Sequence, residues 1–347
     1  MEQERSQDPS PCRRNRATGR EDPAAVGTHG RMSDLNTTDS IEITEPLLII
    51  GFNRPDHLRV LIDRLREIQP RNIYVAIDGP RPDRAGESVQ VEQCRDLVDD
   101  IDWGANVRTL FQETNLGCGL GVSTAISWFF DHEPRGIILE DDIIPDPSFF
   151  PFCIELLDRY ESDERVFAIS GCNFVPPGGI TRPDDAYRFS QVPHIWGWAT
   201  WRRSWTQHRL DIADWRSHLP LRTLFRRVHA SPPALAYWAS FFSVLGRKEV
   251  DTWDGQLVLA SMISGQLTAT SNQNLIENIG FDELATHTFE DRRELQPVVP
   301  MVTPTAPAPV VVDARADDWT RRHHFHATVL GMVHQGSMYV KRRLGRS

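Results

Sequence analysis

The chain has few cysteines and none closely spaced. Its five, Cys12, Cys94, Cys118, Cys153 and Cys172, are scattered, odd in number and without a CxxC spacing, which argues against a zinc site or a disulfide framework and suits a reducing, cytoplasmic compartment. It also lacks an apolar run of bilayer-spanning length, and its first 40 residues are charged and polar without a signal-peptide core, so a soluble, unsecreted protein is expected. Positive charge is in deficit: 38 Lys and Arg against 48 Asp and Glu leave a formal charge of −10. That balance favours no nucleic-acid partner, and an acidic protein that binds an anion needs a local cation. Core-forming residues are plentiful. A chain of 347 residues, 40% hydrophobic and 25% charged, supports one large or two small globular domains.

Residues 1–44 carry little apolar periodicity and are expected to be a disordered leader or a misassigned start. From Pro46 onward, strand and helix patterns alternate: strand Leu47 to Phe52, helix Pro55 to Ile68, strand Ile73 to Asp78, a helix near Val89 to Ile101, strand Val107 to Phe111, a helix from about Leu120 to Phe130, a strand before Glu140, helix Pro147 to Tyr160, and strand Val166 to Ser170. Strands separated by helices imply an α/β fold with a mostly parallel sheet covered on both faces. Leu58, Leu61, Ile62, Leu65 and Ile68 form one helical stripe, and Pro55 suits a first turn. Beyond Gly171 the chain becomes Trp- and loop-rich. Trp198, Trp201 and Trp205 are spaced three and four apart, a helical stripe that suggests a packed core face rather than a sugar platform. A Pro-rich stretch from Pro297 to Pro309 is expected to separate the core from a C-terminal tail ending in basic residues, for which at most a peripheral membrane contact is expected.

The most informative segment is Gly136-Ile137-Ile138-Leu139-Glu140-Asp141-Asp142, an apolar run ending in three carboxylates. Such a run reads as a buried parallel strand, with the acids at its carboxyl end, where open α/β sheets hold ligands. Adjacent like charges repel, so the triplet is best tolerated beside a divalent cation or hydrogen-bond donors; the other reading is a solvated acidic turn. Other segments fall around the same edge or later in the chain: Phe52-Asn53-Arg54-Pro55, Ala76-Ile77-Asp78-Gly79-Pro80, Gly197-Trp198, Thr252-Trp253-Asp254-Gly255-Gln256, Asn278-Ile279-Gly280-Phe281 and Thr286-His287-Thr288.

In this order, the motifs resemble those of nucleotide-sugar-dependent glycosyltransferases of the GT-A fold, in particular the bacterial family 2-like transferases sometimes labelled hemolytic protein. They are also similar in order to N-acetylglucosaminyltransferase I. The resemblance runs from Pro46 to Thr288. It implies a nucleotide-sugar-binding half over residues 45–172, an acceptor-side half of the same GT-A domain over 173–290, and a Pro-rich linker with tail over 291–347. It further implies Mn2+ or Mg2+ at Asp142, ribose at Asp141, donor sugar at Glu140, and nucleobase contacts from Arg54 and Asp78 with Asn53 beside them, which favours a UDP-sugar. Arg54 and Asp78 could instead be surface ion pairs. Gly197 and Trp198 match a sugar-site wall. Asn115, in a Gly-rich run without the Walker Lys-Ser/Thr, opens the helix beside the nucleotide cleft. His287 is placed near the metal or pyrophosphate, or is a structural histidine. Asp254 is the candidate general base of an inverting transfer, or the first-turn acid of a helix. Here Gly255 follows it where the eukaryotic pattern has a second acid.

The expected activity is therefore metal-dependent sugar transfer to a hydroxyl on a glycan or lipid-linked glycan, in polysaccharide or lipopolysaccharide assembly. Other readings are a sugar-1-phosphate nucleotidyltransferase, which would carry a Gly-rich basic loop after the first strand, a glycoside hydrolase using Glu140 and Asp254, and a non-enzymatic glycan-binding or membrane-lytic protein.

Overall fold

The computed structural model describes residues 42–280 and 296–328. Strand and helix alternate through β1 (Leu47–Gly51), α1 (Pro55–Ile68), β2 (Asn72–Ile77), α2 (Glu87–Asp96), β3 (Asn106–Phe111), α3 (Gly117–His132) and β4 (Arg135–Glu140). There follow β5 (Ile143–Pro145), α4 (Phe149–Arg159), β6 (Val166–Ser170), β7 (Tyr187–Ser190), β8 (Trp198–Trp201), α5 (Arg202–Trp205), α6 (Trp215–His218) and α7 (Leu221–Arg227). The remaining elements are α8 (Pro232–Gly246), α9 (Asp254–Ser264), β9 (Leu267–Ser271), β10 (Ile276–Asn278) and α10 (Ala314–His323). Eight strands form one sheet in the order β3-β2-β1-β4-β8-β6-β9-β7. Only β8 and β7 run against the others. This is a mixed α/β architecture with a mostly parallel central sheet, compatible with the GT-A class.

The period-2 geometry of the strands divides the interior into two layers. Leu47 and Ile49, Ile73, Val75 and Ile77, and Ile137 and Leu139 pack with the apolar sides of α1, α2 and α4. Their neighbours Leu48, Ile50, Tyr74, Ala76 and Ile138 pack against Val122, Ile126 and Phe129 of α3 and Leu257 and Ala260 of α9. β1 lies between β2 and β4, so all five of its residues are buried. The α1 stripe is buried at Leu58, Leu61, Ile62 and Leu65, with Pro55 in the first turn and Gln69 closing the helix in a left-handed conformation.

Three expectations are corrected. The core begins at Ile43, inside the expected leader: its side chain is buried and its carbonyl accepts from Arg71 N at 2.8 Å. The tryptophans are buried as expected, but Trp198 and Trp201 lie on strand β8 rather than on a helix. An odd spacing on a strand sends them to opposite faces, Trp201 into the α4 layer and Trp198 into the α3 layer. The described part of the Pro-rich stretch is a strap laid along the fold. Bridges join Asn274 to Val298 and Phe189 to Val312, Arg159 donates to the carbonyls of Pro304 and Ala306, and Ala308 N donates to the Tyr187 hydroxyl. At its end the Asp313 carboxylate caps α10 and also accepts from Thr181 N and Oγ1. No helix among the described residues is long and apolar enough to cross a membrane.

Tyr187 Oη meets Arg159 Nη1 at 3.0 Å, Tyr160 Oη at 2.6 Å and Ala308 N at 3.0 Å. Tyr187→Phe strands these groups and is expected to cost about 1–3 kcal/mol in urea unfolding, with faster proteolysis within residues 298–309. An unchanged midpoint and cleavage rate would show that the strap is not held through this oxygen.

Candidate functional site

The register of the parallel strands aligns the site. Gly51 pairs with Ile77 and Ile50 with Glu140, so the residues that follow, Asn53 and Arg54, Asp78, and Asp141 and Asp142, leave the sheet along one edge. There they line a cleft of about 720 Å³, together with Glu140, Asn115 and Asp254. The antiparallel pair β5 and β10 brings Asn278 and Gly280 back to the triplet, with Ile279 N donating to Asp142 O at 2.9 Å.

Arg54 is the cation in contact with the triplet, and Arg81 lines the same cleft. Its Nη2 donates to Asp141 Oδ1 and its Nη1 to Asp142 Oδ2, the latter at 2.9 Å. Burial works against its charge, but the two carboxylates outweigh it and hold the guanidinium protonated more firmly than a free arginine. One guanidinium does not offset three acids. Burial, then the charges of Asp142 and Asp141, push Glu140 up to about 8. Burial also pushes Asp141 up to about 7 although Arg54 opposes it.

Asp78 and the Gly-rich run take a structural form that the sequence did not suggest. The Asp78 carboxylate accepts from Gly79 N, Asn115 Nδ2, Leu116 N and Gly117 N at 2.8–3.2 Å. Asp251, distant in the chain, accepts from Cys118 N at 2.9 Å and Gly119 N at 3.0 Å. The unpaired amides that open α3 are therefore met by two carboxylates. A Cβ at Gly117, whose φ is +80°, or at Gly119 would lie within 2.5 and 2.6 Å of Asp251 oxygens, which accounts for glycine at both positions. Asp78 is thus a loop clamp rather than a surface ion pair. Asn115 lines the cleft while holding Asp78 and Gly79 O.

Asp254 is the first residue of α9 and also lines the cleft, so both of its sequence readings coexist geometrically. Its Oδ1 accepts from Thr252 Oγ1 and from Gly255 N, the latter at 2.7 Å; among the described residues its Oδ2 accepts no hydrogen bond. Trp198 does not reach the cleft: it is 1% exposed and stacks on Trp253 at 5.8 Å. Gly197, at φ +67°, packs against Ile276 and forms no part of the lining. The indole walls are Trp196 and Trp253. Asn53 donates to Glu87 Oε1 at 3.0 Å, and Glu87 is buried beneath Arg81, whose hydrogen bonds hold that carboxyl below its usual range. His287 lies outside the described residues. Among the described residues no three His, Cys, Asp or Glu side chains are grouped to hold a metal by themselves.

Sequence reasoning missed Asp251, Arg81, Glu87 and Trp196. Asp251 had a signal, a carboxylate three positions before Asp254, joined to glycines at alternate positions at a helix start. Burial pushes the Cys118 thiol up to about 12, followed by the charge of Glu140, so this cleft residue is a neutral thiol at neutral pH and not a ready nucleophile.

Neither a protein-family model nor a curated protein matches the sequence. Among solved structures, the crystal structure of HddC from Yersinia pseudotuberculosis is similar at a TM-score of 0.28 and 9% identity, covering 46% of this chain and 78% of that one. A superposition that loose supports no inference about activity.

The raised carboxyls set a sign for stability against pH. A group whose pKa rises on folding stabilises the fold while protonated, and that contribution is lost as pH climbs through the folded value, here about 7 for Asp141 and about 8 for Glu140. Without divalent cation, the melting midpoint of the wild type should fall more steeply than that of Glu140→Gln between about pH 4.5, the ordinary glutamate value, and about pH 8, and run parallel to it above that. Parallel profiles would mean that the Glu140 charge is not felt by the fold.

Proposed function

We propose that the chain is a glycosyltransferase that moves a sugar from a nucleoside-diphosphate donor, UDP favoured, to a hydroxyl acceptor with inversion at the anomeric carbon. One observation carries the reading: acids and a guanidinium from three strand ends, Arg54, Asp78 and Glu140 to Asp142, share one cleft with Asp254 from the far half of the chain. The uridine preference and the glycan or lipid-linked glycan acceptor come from the motif order.

The donor set suits Mn2+ or Mg2+. Asp142 would hold the cation through a hard carboxylate oxygen on the cleft wall, in a cluster whose negative charge Arg54 only partly offsets. Such a cation, once bound, stabilises the charge of the departing diphosphate. The chain's own residues do the rest. Asp254 takes the proton of the acceptor hydroxyl as its oxygen bonds to the anomeric carbon. The bond from that carbon to the phosphate oxygen breaks, and its electron pair leaves with the nucleoside diphosphate. Asn115 and Asp141 line the donor side, with Trp196 and Trp253 as apolar walls. Only Phe52, Asn53 and Arg54 separate β1 from α1, which leaves no room for the Gly-rich loop of a nucleotidyltransferase.

Melting with UDP, GDP, CDP or ADP, each with and without Mn2+, tests the donor site. A specific ligand at ~100 times its dissociation constant adds about 2.7 kcal/mol of apparent stability, and the shift is expected with UDP plus metal. Asp142→Asn should abolish it. Asp254→Asn should keep it while lowering turnover by ~10²–10⁴-fold. Equal loss of the shift in both variants would remove Asp254 as base, and no shift with any nucleotide would remove the donor site.

A further inference from the structure

We propose that Asp251 is a positioning residue: a latch that fixes the turn bearing Asp254 to the start of α3, and so aligns the acceptor-side base with the donor side of the cleft. The inference rests on the transferase reading for its kinetic consequence, though not for its structural one.

The amides of Leu116, Gly117, Cys118 and Gly119 are the donors that a helix start leaves without partners. Asp78, at the end of β2, takes the first pair, and Asp251 takes the second. The start of α3 is therefore shared by an acid from each half of the chain. Although Asp251 is exposed, both of its oxygens are engaged, which suits an anchor and leaves it poorly placed to accept a substrate proton.

From Asp251 the constraint passes residue by residue to Asp254. Thr252 Oγ1 donates to the Asp254 carboxylate, and Gln256 Nε2 donates to Thr252 O at 2.8 Å. Trp253 stacks on Trp198 and accepts at its carbonyl from His208 Nε2 at 3.1 Å. Asp254 then opens α9 with its Oδ1 held from two sides. Among the described residues, Trp253 packs in one apolar cluster with Val122 and Ile126 of α3, and the Asp251 carboxylate adds the hydrogen bonds that tie this turn to the start of α3, through a side chain that can be altered without touching the base. A small displacement of a reacting group costs up to about 10²-fold in rate, so the latch should appear in turnover and not in donor affinity.

Two variants disturb it by different routes. Asp251→Asn keeps one acceptor and aims a donor at an N–H. Gly119→Ala leaves Asp251 intact but places a methyl 2.6 Å from its Oδ1 and 3.1 Å from Thr252 O. Were helix stability the only factor, alanine at a helical glycine would stabilise α3; a latch predicts the opposite. Amide exchange is read on the whole protein in peptides covering 114–121 and 250–257, followed by UDP–Mn2+ binding, kcat and KM. Both variants should speed exchange in both segments together, leave nucleotide affinity within about twofold and lower kcat by about 10–10²-fold, with Asp251→Glu restoring part of it. Unchanged exchange at 250–257, or coupled exchange with unchanged kcat in an active enzyme, would overturn the proposal. A kcat loss matching that of Asp254→Asn with exchange unaltered would make Asp251 a second base instead. If wild type binds no nucleotide and turns nothing over, the transferase reading falls and the kinetic half of the proposal with it, while the exchange result still decides the latch.

Discussion

The organising constraint is the charge at the carboxyl end of β4. Three consecutive acids leave the sheet at the base of a cleft, and Arg54 bridges only two of them. Burial, reinforced by repulsion within the triplet, raises the proton affinity of Glu140 and Asp141, so the edge favours whatever positive charge can be added. The surroundings maintain this arrangement. β1 delivers Arg54 by parallel register, and β10 returns the chain so that Gly280 packs on Asp142, where a Cβ would come within 2.1 Å of a carboxylate oxygen.

Carboxylates serve three other purposes around the same cleft. Asp78 and Asp251 satisfy helix amides, Glu87 anchors Arg81 and Asn53, and Asp254 keeps one oxygen unbonded among the described residues. The same side-chain chemistry thus gives clamps where N–H groups converge and a candidate base where they do not. What separates these roles is the count of donors around each oxygen, a property of the folded chain.

Much of the strand-and-helix half up to Ser170 was legible in the sequence. Alternation of apolar strands and amphipathic helices from Leu47 to Ser170 requires little beyond period and turn chemistry, and α1 and β6 have the expected bounds. Arg54, Asp78 and the triplet were locatable because residues that follow parallel strands must gather at one edge. The other half was harder to read. Trp198 sits on a strand because β4 and β6 both pair with it antiparallel, a long-range choice that overrides a helical spacing. The Pro-rich stretch is a strap because Arg159, Tyr187 and Asn274 offer it partners, none of them near it in sequence.

The periodicities, the strand-end acids and the lack of a Gly-rich loop after the first strand are local properties of the chain, because each depends on neighbours within a few residues. Which acid meets which amide follows from the packing of distant segments. Asp251 caps a helix more than a hundred residues earlier in the chain, Trp196 rather than Trp198 lines the cleft, and Gly117 and Gly119 serve a carboxylate instead of a phosphate. These outcomes depend on distances between segments, and local pattern carries no information about a distance until the sheet order sets it.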